Sequence, residues 1–304
     1  MSVQLDNSNV SKVLGQTVDY PDQYDPSILV REPRQSNRKH LDLDDNNLPF
    51  CGYDVWNAYE VSCLTERGFP VTGVAKILYP CDNKYIVESK SLKLYLNSFN
   101  MTRLGNTSDE ARDIIKDRVE SDLSDLLGTN VVVTIFSPND INDTSATPYF
   151  KSYSTLENIA GADDLYFAKY TETPQLLERS HITIRDYLVR QDYHSSLLKS
   201  NCRVTNQPDW GDVYISMKGK KIVKPQHLLE YVVSFRDENH FHEEICETIY
   251  KRLWDIFNPV SLAVTCLYAR RGGIDINPTR VSNVDLLTDS LIDPETPFCK
   301  TPRQ

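Results

Sequence analysis

The chain has 304 residues, with 33 Lys and Arg against 43 Asp and Glu and a formal net charge of −10. That surplus of carboxylates argues against direct nucleic-acid binding, which draws its affinity from clustered Lys and Arg. A hydrophobic fraction of 40% and a mean hydropathy of −0.45 fit a soluble globular protein of one large or two ordinary domains. No apolar run approaches the ~20 residues needed to cross a bilayer, and Met1–Asp6 has neither a basic flank nor an apolar stretch. The expectation is a cytoplasmic protein with no secretory signal and no membrane partner.

Residues 1–48 are polar, punctuated by Asn, Asp and Pro, and read as an N-terminal extension that wraps or frays rather than as core. From Val55 the pattern changes. Trp56, Ala58, Tyr59, Val61 and Cys63 predict a strand, and Val71–Leu78 predicts a second after the turn at Gly68-Phe69-Pro70. Glu88–Phe99 then sets Leu92, Tyr95, Leu96 and Phe99 at helical spacing. The next helix opens at Thr107-Ser108-Asp109-Glu110, an N-cap followed by acids. It carries Ala111, Ile115, Val119, Leu123 and Leu126 on one stripe and stops at Gly128. Val131–Phe136 is apolar and β-branched, as a buried strand is.

Residues 141–190 link this first unit, 49–140, to a second, 191–304, through turns at Gly161-Ala162-Asp163-Asp164 and Pro174. The second unit has a strand around Val213, Tyr214 and Ile215. Its helix His227–Phe235 repeats Ser91–Phe99 in register, Tyr231 answering Tyr95 and Ser234-Phe235 answering Ser98-Phe99. A long helix follows from about Phe241, with Ile245, Ile249, Leu253 and Ile256 on one face. Val260–Tyr268 is again a strand and runs on to Arg270–Pro278. The repeated order predicts a tandem duplication and an α+β fold, with antiparallel sheets and helices packed on one face.

Common signatures are missing: the eleven glycines never fall as GxGxxG, and Walker A, GxSxG and kinase motifs are absent. Seven cysteines, at 51, 63, 81, 202, 246, 266 and 299, form no CxxC pair and are expected to be reduced and mostly buried. In His242-Glu243-Glu244-Ile245-Cys246 a cysteine stands where a zincin has its second histidine. His240, His242 and Cys246 would then meet a metal, or be a satisfied histidine pair beside a buried thiol. Cys202 lies in Leu197–Asp212, read as a polar stretch between elements. Lys199 and Arg203 would favour its thiolate, and Asp209, beyond the turn at Pro208, can return toward the thiol as a proton source; the plain alternative is a loop cysteine and a turn aspartate.

Glu88 and Glu243 each stand at or near a helix start, one per unit. A carboxylate that accepts two parallel N–H groups suits the N1–H and amino edge of guanine, although helix-start electrostatics alone would also account for both. Lys90, Lys93, Arg270 and Arg271 supply positive charge beside Gly272-Gly273, where backbone can approach an anion closely. They either hold phosphates or solvate helix and strand ends.

Together these segments resemble the NADPH-dependent 7-cyano-7-deazaguanine reductase family in its long, two-module form. The octapeptide Glu88–Tyr95 carries the resemblance, with Cys202–Asp209, Phe241–Glu244 and Arg270–Ile274, over roughly residues 48–280. The resemblance implies two tunnelling-fold domains whose sheets close into a barrel, a homodimer, NADPH as cofactor, no metal, and a small-molecule deazapurine substrate. It implies reduction of a nitrile to an aminomethyl group through a covalent thioimide, with two NADPH per product, in queuosine tRNA-modification biosynthesis. Cys202 matches the nucleophile and Asp209 the proton donor, with His242 beside the reacting group. Val87, Glu88, Ser89, His242 and Glu243 match substrate contacts, and Ser89, Lys90, Arg271 and Gly272 match NADPH contacts. Lys224 stands where the second unit would have Glu88, so each unit keeps part of a site and the substrate is expected where the units meet. As an acid at neutral pH, Asp209 would need burial or a nearby negative charge to raise its carboxyl.

Two other readings remain open at this stage. One keeps the fold and makes the protein a zinc-dependent purine hydrolase of the GTP cyclohydrolase type, with Cys202, His242 or Cys246 as ligands. The other is a non-catalytic binding module with an inert Cys202. Cys246, one turn past His242, also admits an inactivating disulfide to Cys202.

Overall fold

Two long antiparallel hairpins carry the sheet, and the last strand joins them. The computed structural model describes residues 23–137, 152–178, 182–297, 301 and 304. In chain order the elements are β1 (Arg31–Pro33), α1 (Gln35–Arg38), β2 (Cys51–Leu64), β3 (Pro70–Pro80), β4 (Tyr85–Val87), α2 (Ser89–Asn97), α3 (Ser108–Leu127) and β5 (Val132–Phe136). Then follow β6 (Ser154–Thr155), β7 (Ile182–Asn201), β8 (Pro208–Val223), α4 (Pro225–Val233), α5 (His242–Phe257), β9 (Ser261–Tyr268), β10 (Ile274–Val281) and α6 (Asp289–Ile292). Eight strands form one sheet in the order β5-β3-β2-β10-β9-β8-β7-β6, antiparallel except where β6 meets β7. The two halves therefore share a sheet: Ile276 of β10 lies opposite Trp56 of β2, and Ile274 opposite Ala58.

Strand alternation puts the helices on one face. Ile274 and Ile276 join Trp56, Leu92, Tyr95, Ile115 and Val119 in one apolar cluster under α2 and α3. Arg280, two and three pleats along on the same side of β10, meets Glu247 of α5. The opposite face is polar near the centre, where Asp275 accepts from Asn57, Asn277 and Tyr59. An α+β fold with an antiparallel sheet and one helical face is thus what the chain adopts.

Local chemistry explains the helices. Thr107 caps α3 by accepting from Glu110 N at 3.2 Å, Asp109 and Glu110 fill the first turn, and Gly128 ends it at φ 63°. The buried stripe is Ala111, Ile115, Val119, Leu123 and Leu127, so Leu127 takes the place predicted for Leu126, which packs from the side. The helices α2 and α4 repeat one another closely. Glu88 and Lys224 are their N-caps, and Ser98 Oγ donates to Tyr95 O as Ser234 Oγ donates to Tyr231 O. The Tyr95–Phe99 and Tyr231–Phe235 rings meet edge-on at 5.4 and 5.3 Å. Only Glu88 caps with its side chain; Lys224 has no acceptor to offer.

Three sequence expectations need correcting. Residues 182–190 and 197–201 are strand β7, and 208–212 belong to β8, so only 202–207 is turn. β7 escapes a hydrophobic-periodicity reading because most of its first half is exposed, ending in the run at Ile184–Leu188. Residues 23–48 are also more than a wrap: Leu41 and Leu43 enter the core, and Arg34 and Arg38 are buried. Residues 1–22, 138–151 and 179–181, and Cys299, lie outside the described residues.

Those arginines belong to a buried charge cluster. Arg38 donates to both oxygens of Glu247 at 3.0 and 2.8 Å, Arg280 reaches Glu247 at 2.9 Å and Asp54 at 2.8 Å, and Arg34 reaches Asp54 at 2.5 Å. Burial opposes the charge on Glu247, but the Arg280, Arg38 and Arg34 guanidiniums outweigh it and hold the carboxyl at about 2. A depressed carboxyl adds stability that is whole above the ordinary carboxylate range and is lost as pH falls through about 2. Glu247→Gln leaves buried guanidiniums uncompensated. It should cost about 3–5 kcal/mol of unfolding free energy at neutral pH by denaturant titration, with a smaller loss at pH 2.

Candidate active site

The hairpin between β7 and β8 sets the thiol. Ser200 lies opposite Asp209 in the ladder, and the turn closes with Cys202 N donating to Gln207 O at 2.8 Å and Asn206 N to Cys202 O at 2.9 Å. Asn206 takes the left-handed conformation the turn needs, at φ 56°. Cys202 is left 8% exposed. Burial pushes its thiol up, but the Thr205 hydroxyl and N–H, the Arg271 guanidinium and the Val204 N–H point at the sulfur and bring it below the ordinary thiol value. The cations expected to do this are occupied elsewhere: Lys199 Nζ donates to Asn201 Oδ1 and Arg236 O, and Arg203 pairs with Glu244 at 2.7 Å.

Asp209, 6% exposed, stands between a guanidinium and an imidazole. Arg271 Nη1 is 2.7 Å from one carboxylate oxygen, and His242 Nε2 is 3.4 Å from the other. His242 opens α5, and its ring stacks on Tyr268 of β9 with centroids 3.8 Å apart and planes 11° from parallel. Gly211 lies opposite Tyr268 in the β8–β9 ladder, and a Cβ there would come within 3.1 Å of the tyrosine ring. The missing side chain lets Tyr268 lie flat enough to fix the plane of His242.

The cavity joins both halves of the chain. Trp56, Val87 and Ser89 line it from the first half, and Cys202, Asp209, His240, Phe241, His242, Glu243, Arg271 and Ile276 from the second. Glu243, second in α5, is 3% exposed with Oε1 unpartnered. Burial, aided by the Asp54 charge and opposed by Arg34, pushes its carboxyl up to about 8. Glu88 is not among the lining residues; its oxygens accept from Lys90 N at 3.0 Å and Ser91 N at 2.7 Å, capping α2 beside the wall made by Val87 and Ser89. Each carboxylate oxygen retains a second lone pair for another donor.

Val87, Ser89, Cys202, Asp209, His242, Glu243 and Arg271 therefore come together as expected. Gly272 lines a neighbouring cavity with Gly273, Lys93, Glu60 and Asn97, while Lys90, on the first turn of α2, lines neither cavity. Arg270 instead lies over the Tyr59 ring, its guanidinium carbon 3.3 Å from the ring centre, so of the doublet only Arg271 reaches the thiol and Asp209. Cys246 turns into the core, its sulfur 3.5 Å from Val264 O and Pro278 O and in contact with Cys266. It faces Cys266 rather than the cavity. His240 is held by Glu238 at 3.1 Å and Glu244 at 3.2 Å, which raise it to about 9 against the effect of burial. Among the described residues no cluster of His, Cys, Asp and Glu has the arrangement of a metal site.

Sequence reasoning did not assign Trp56, Thr205, Tyr268 or Ile276 to the site. Strand parity supplies part of the signal, since Trp56 and Ile276 are ladder partners on the helical face, but nothing local marks Thr205 or Tyr268.

Residues 20–135 match the family model described as nitrile reductase, 7-cyano-7-deazaguanine-reductase N-term, and residues 208–285 match that of QueF-like protein. A protein of Colwellia psychrerythraea named NADPH-dependent 7-cyano-7-deazaguanine reductase is 40% identical over 96% of this chain and 95% of its own length. Proteins of the same name from Rickettsia felis and Legionella pneumophila are each 41% identical, covering 90% and 88% of this chain and 93% and 88% of their own lengths. The chain belongs to the NADPH-dependent 7-cyano-7-deazaguanine reductase family.

Proposed function

We propose that the protein is an oxidoreductase that converts the nitrile of 7-cyano-7-deazaguanine to an aminomethyl group, with NADPH as its cofactor, and that Cys202 first bonds to the nitrile carbon. The observation that carries this reading is one cavity holding a thiol below its ordinary value, a carboxylate, an imidazole and a buried unpartnered carboxylate oxygen. A nitrile carbon accepts hydride poorly in water, so a covalent route splits one hard step into easier ones. The Cys202 Sγ–carbon bond forms as one nitrile π pair shifts to nitrogen, and Asp209 delivers the proton that this nitrogen takes up, giving a thioimide. His242, held flat by Tyr268, is 3.4 Å from Asp209 and is placed to return that proton. Glu243 and Glu88 accept the N–H groups of the base edge.

The residues beside the cavity fit the cofactor. Gly272 and Gly273 both have positive φ, at 61° and 77°, and a Cβ on Gly272 would meet Lys93 Nζ at 2.9 Å. This is backbone kept bare next to a cation, as a phosphate requires. Ser89, Lys90, Arg271 and Gly272 would hold NADPH, which when bound supplies hydride to carbon. Cys202 leaves as thiolate once the first hydride has reached carbon, and Arg271 stabilises the returning sulfur charge.

Each half is read as one tunnelling-fold unit, with a second copy of the chain completing the barrel as a homodimer. A cytoplasmic enzyme of queuosine biosynthesis that acts on the free base, not on tRNA, fits the net charge of −10. No helix among the described residues is long and apolar enough to cross a membrane. The test is stoichiometric. Loss of NADPH absorbance against aminomethyl product formed should give two cofactors per product, and a ratio of one would contradict full reduction of the nitrile by this protein.

A further inference from the structure

The segment preceding β2 delivers an arginine whose charge reaches the cavity. Arg34 is 4% exposed and is fixed by Asn83 Oδ1 at 2.9 Å and Asp54 Oδ2 at 2.5 Å. Glu243 and Glu247 are one turn apart on α5 and share a face. Glu247 is consumed by Arg38 and Arg280 and lies 3.9 Å from Arg34. Among the described residues Glu243 has no direct ion pair, and its Oε1 is buried without a partner. The groups that face it are Asp54 of β2, Arg34 ahead of α1, Arg280 of β10, Tyr79 of β3 and Tyr268 of β9, with Glu247 on its own helix. Two carboxylates and two guanidiniums thus bear on a third carboxyl in a buried site. The guanidiniums favour the charged, accepting form of that carboxyl against burial and the two carboxylates, and a protonated oxygen would be a donor facing the donors of the base edge.

We propose that Arg34 is a positioning residue for substrate recognition, its buried guanidinium favouring the charged, accepting form of the Glu243 carboxyl that lines the cavity. The inference rests on the reading of Glu243 as the acceptor for that edge. It gives the N-terminal segment a role in binding as well as in folding, and it makes affinity pH-dependent. Below the Glu243 midpoint, near 8, binding of the base should weaken as pH falls, because the accepting form is being lost.

The test uses the full-length protein carrying Cys202→Ala, so that binding is not confounded by adduct formation, with 7-cyano-7-deazaguanine as probe. Its Kd is measured calorimetrically from pH 6 to 9.5. Adding Arg34→Gln should move the midpoint up by roughly one pH unit, which reads at pH 7 as about ten-fold weaker binding, while affinity at the alkaline end is retained. Arg34→Lys should restore the parent profile, and Asp54→Asn, which removes a negative neighbour, should move the midpoint down. A midpoint unmoved in whichever of Arg34→Gln and Asp54→Asn remains folded would overturn the inference, as would an equal loss of affinity at every pH. Glu243→Gln separates the two readings. If it binds as tightly as its parent, the recognition role of Glu243 itself fails; if it weakens binding and flattens the profile while Arg34→Gln moves nothing, only the role of Arg34 fails.

Discussion

Cys202→Ala should abolish turnover and covalent adduct together, with a fall in kcat of about 10⁴-fold or more, while leaving the base to bind. The expectation follows from how the site is built. The turn 202–207 aims a nearly buried sulfur into the cavity, and Thr205, Val204 and Arg271 stabilise its charged form. None of the remaining wall residues is a nucleophile of comparable strength. Binding survives because Glu243 and Trp56 stand on α5 and β2, outside the turn. Cys202→Ser should fail almost as completely, since a hydroxyl in the same place does not ionise near neutrality. Quench-flow turnover together with calorimetric binding checks both halves of the expectation.

Asp209→Asn should keep the base bound within a few-fold and slow thioimide formation by about 10²–10⁴-fold. The nitrogen of a nitrile under attack must acquire a proton as charge builds, and an amide cannot deliver one. Asp209 is buried, as the sequence argument asked of an acid, and its neighbours are Arg271 and His242 rather than a second carboxylate. The imidazole 3.4 Å away is the group placed to resupply the proton that Asp209 gives up. Rapid-mixing absorbance of the adduct would report the rate, and normal adduct formation in the variant would remove Asp209 from the acid's role.

Much of this arrangement was legible in the residues, for identifiable reasons. The α2 and α4 registers follow from apolar spacing and were read correctly through Tyr95, Phe99, Tyr231 and Phe235. Cys202, Asp209, His242 and Glu243, which line one cavity, stand out in the sequence because they fall in short motifs. β7 was missed because its first half is exposed, so no apolar period marks it. The donors to Cys202 were misassigned because adjacency in sequence favoured Lys199 and Arg203, whereas the hairpin turns Thr205 and Arg271 to the sulfur and the other two cations pair elsewhere. Residues 23–48 read as an extension outside the core because the segment is polar and lacks periodicity; the partners that bury Arg34 and Arg38, Asp54 and Glu247, are distant in sequence.

The central claim is a sulfur–carbon bond made before any reduction, and intact-protein mass spectrometry reads it directly. Wild-type protein mixed with 7-cyano-7-deazaguanine, cofactor withheld, should gain the mass of one base per chain, with peptide mapping locating it on Cys202. No gain in mass, or a gain borne by another cysteine with Cys202 still free, would contradict the account.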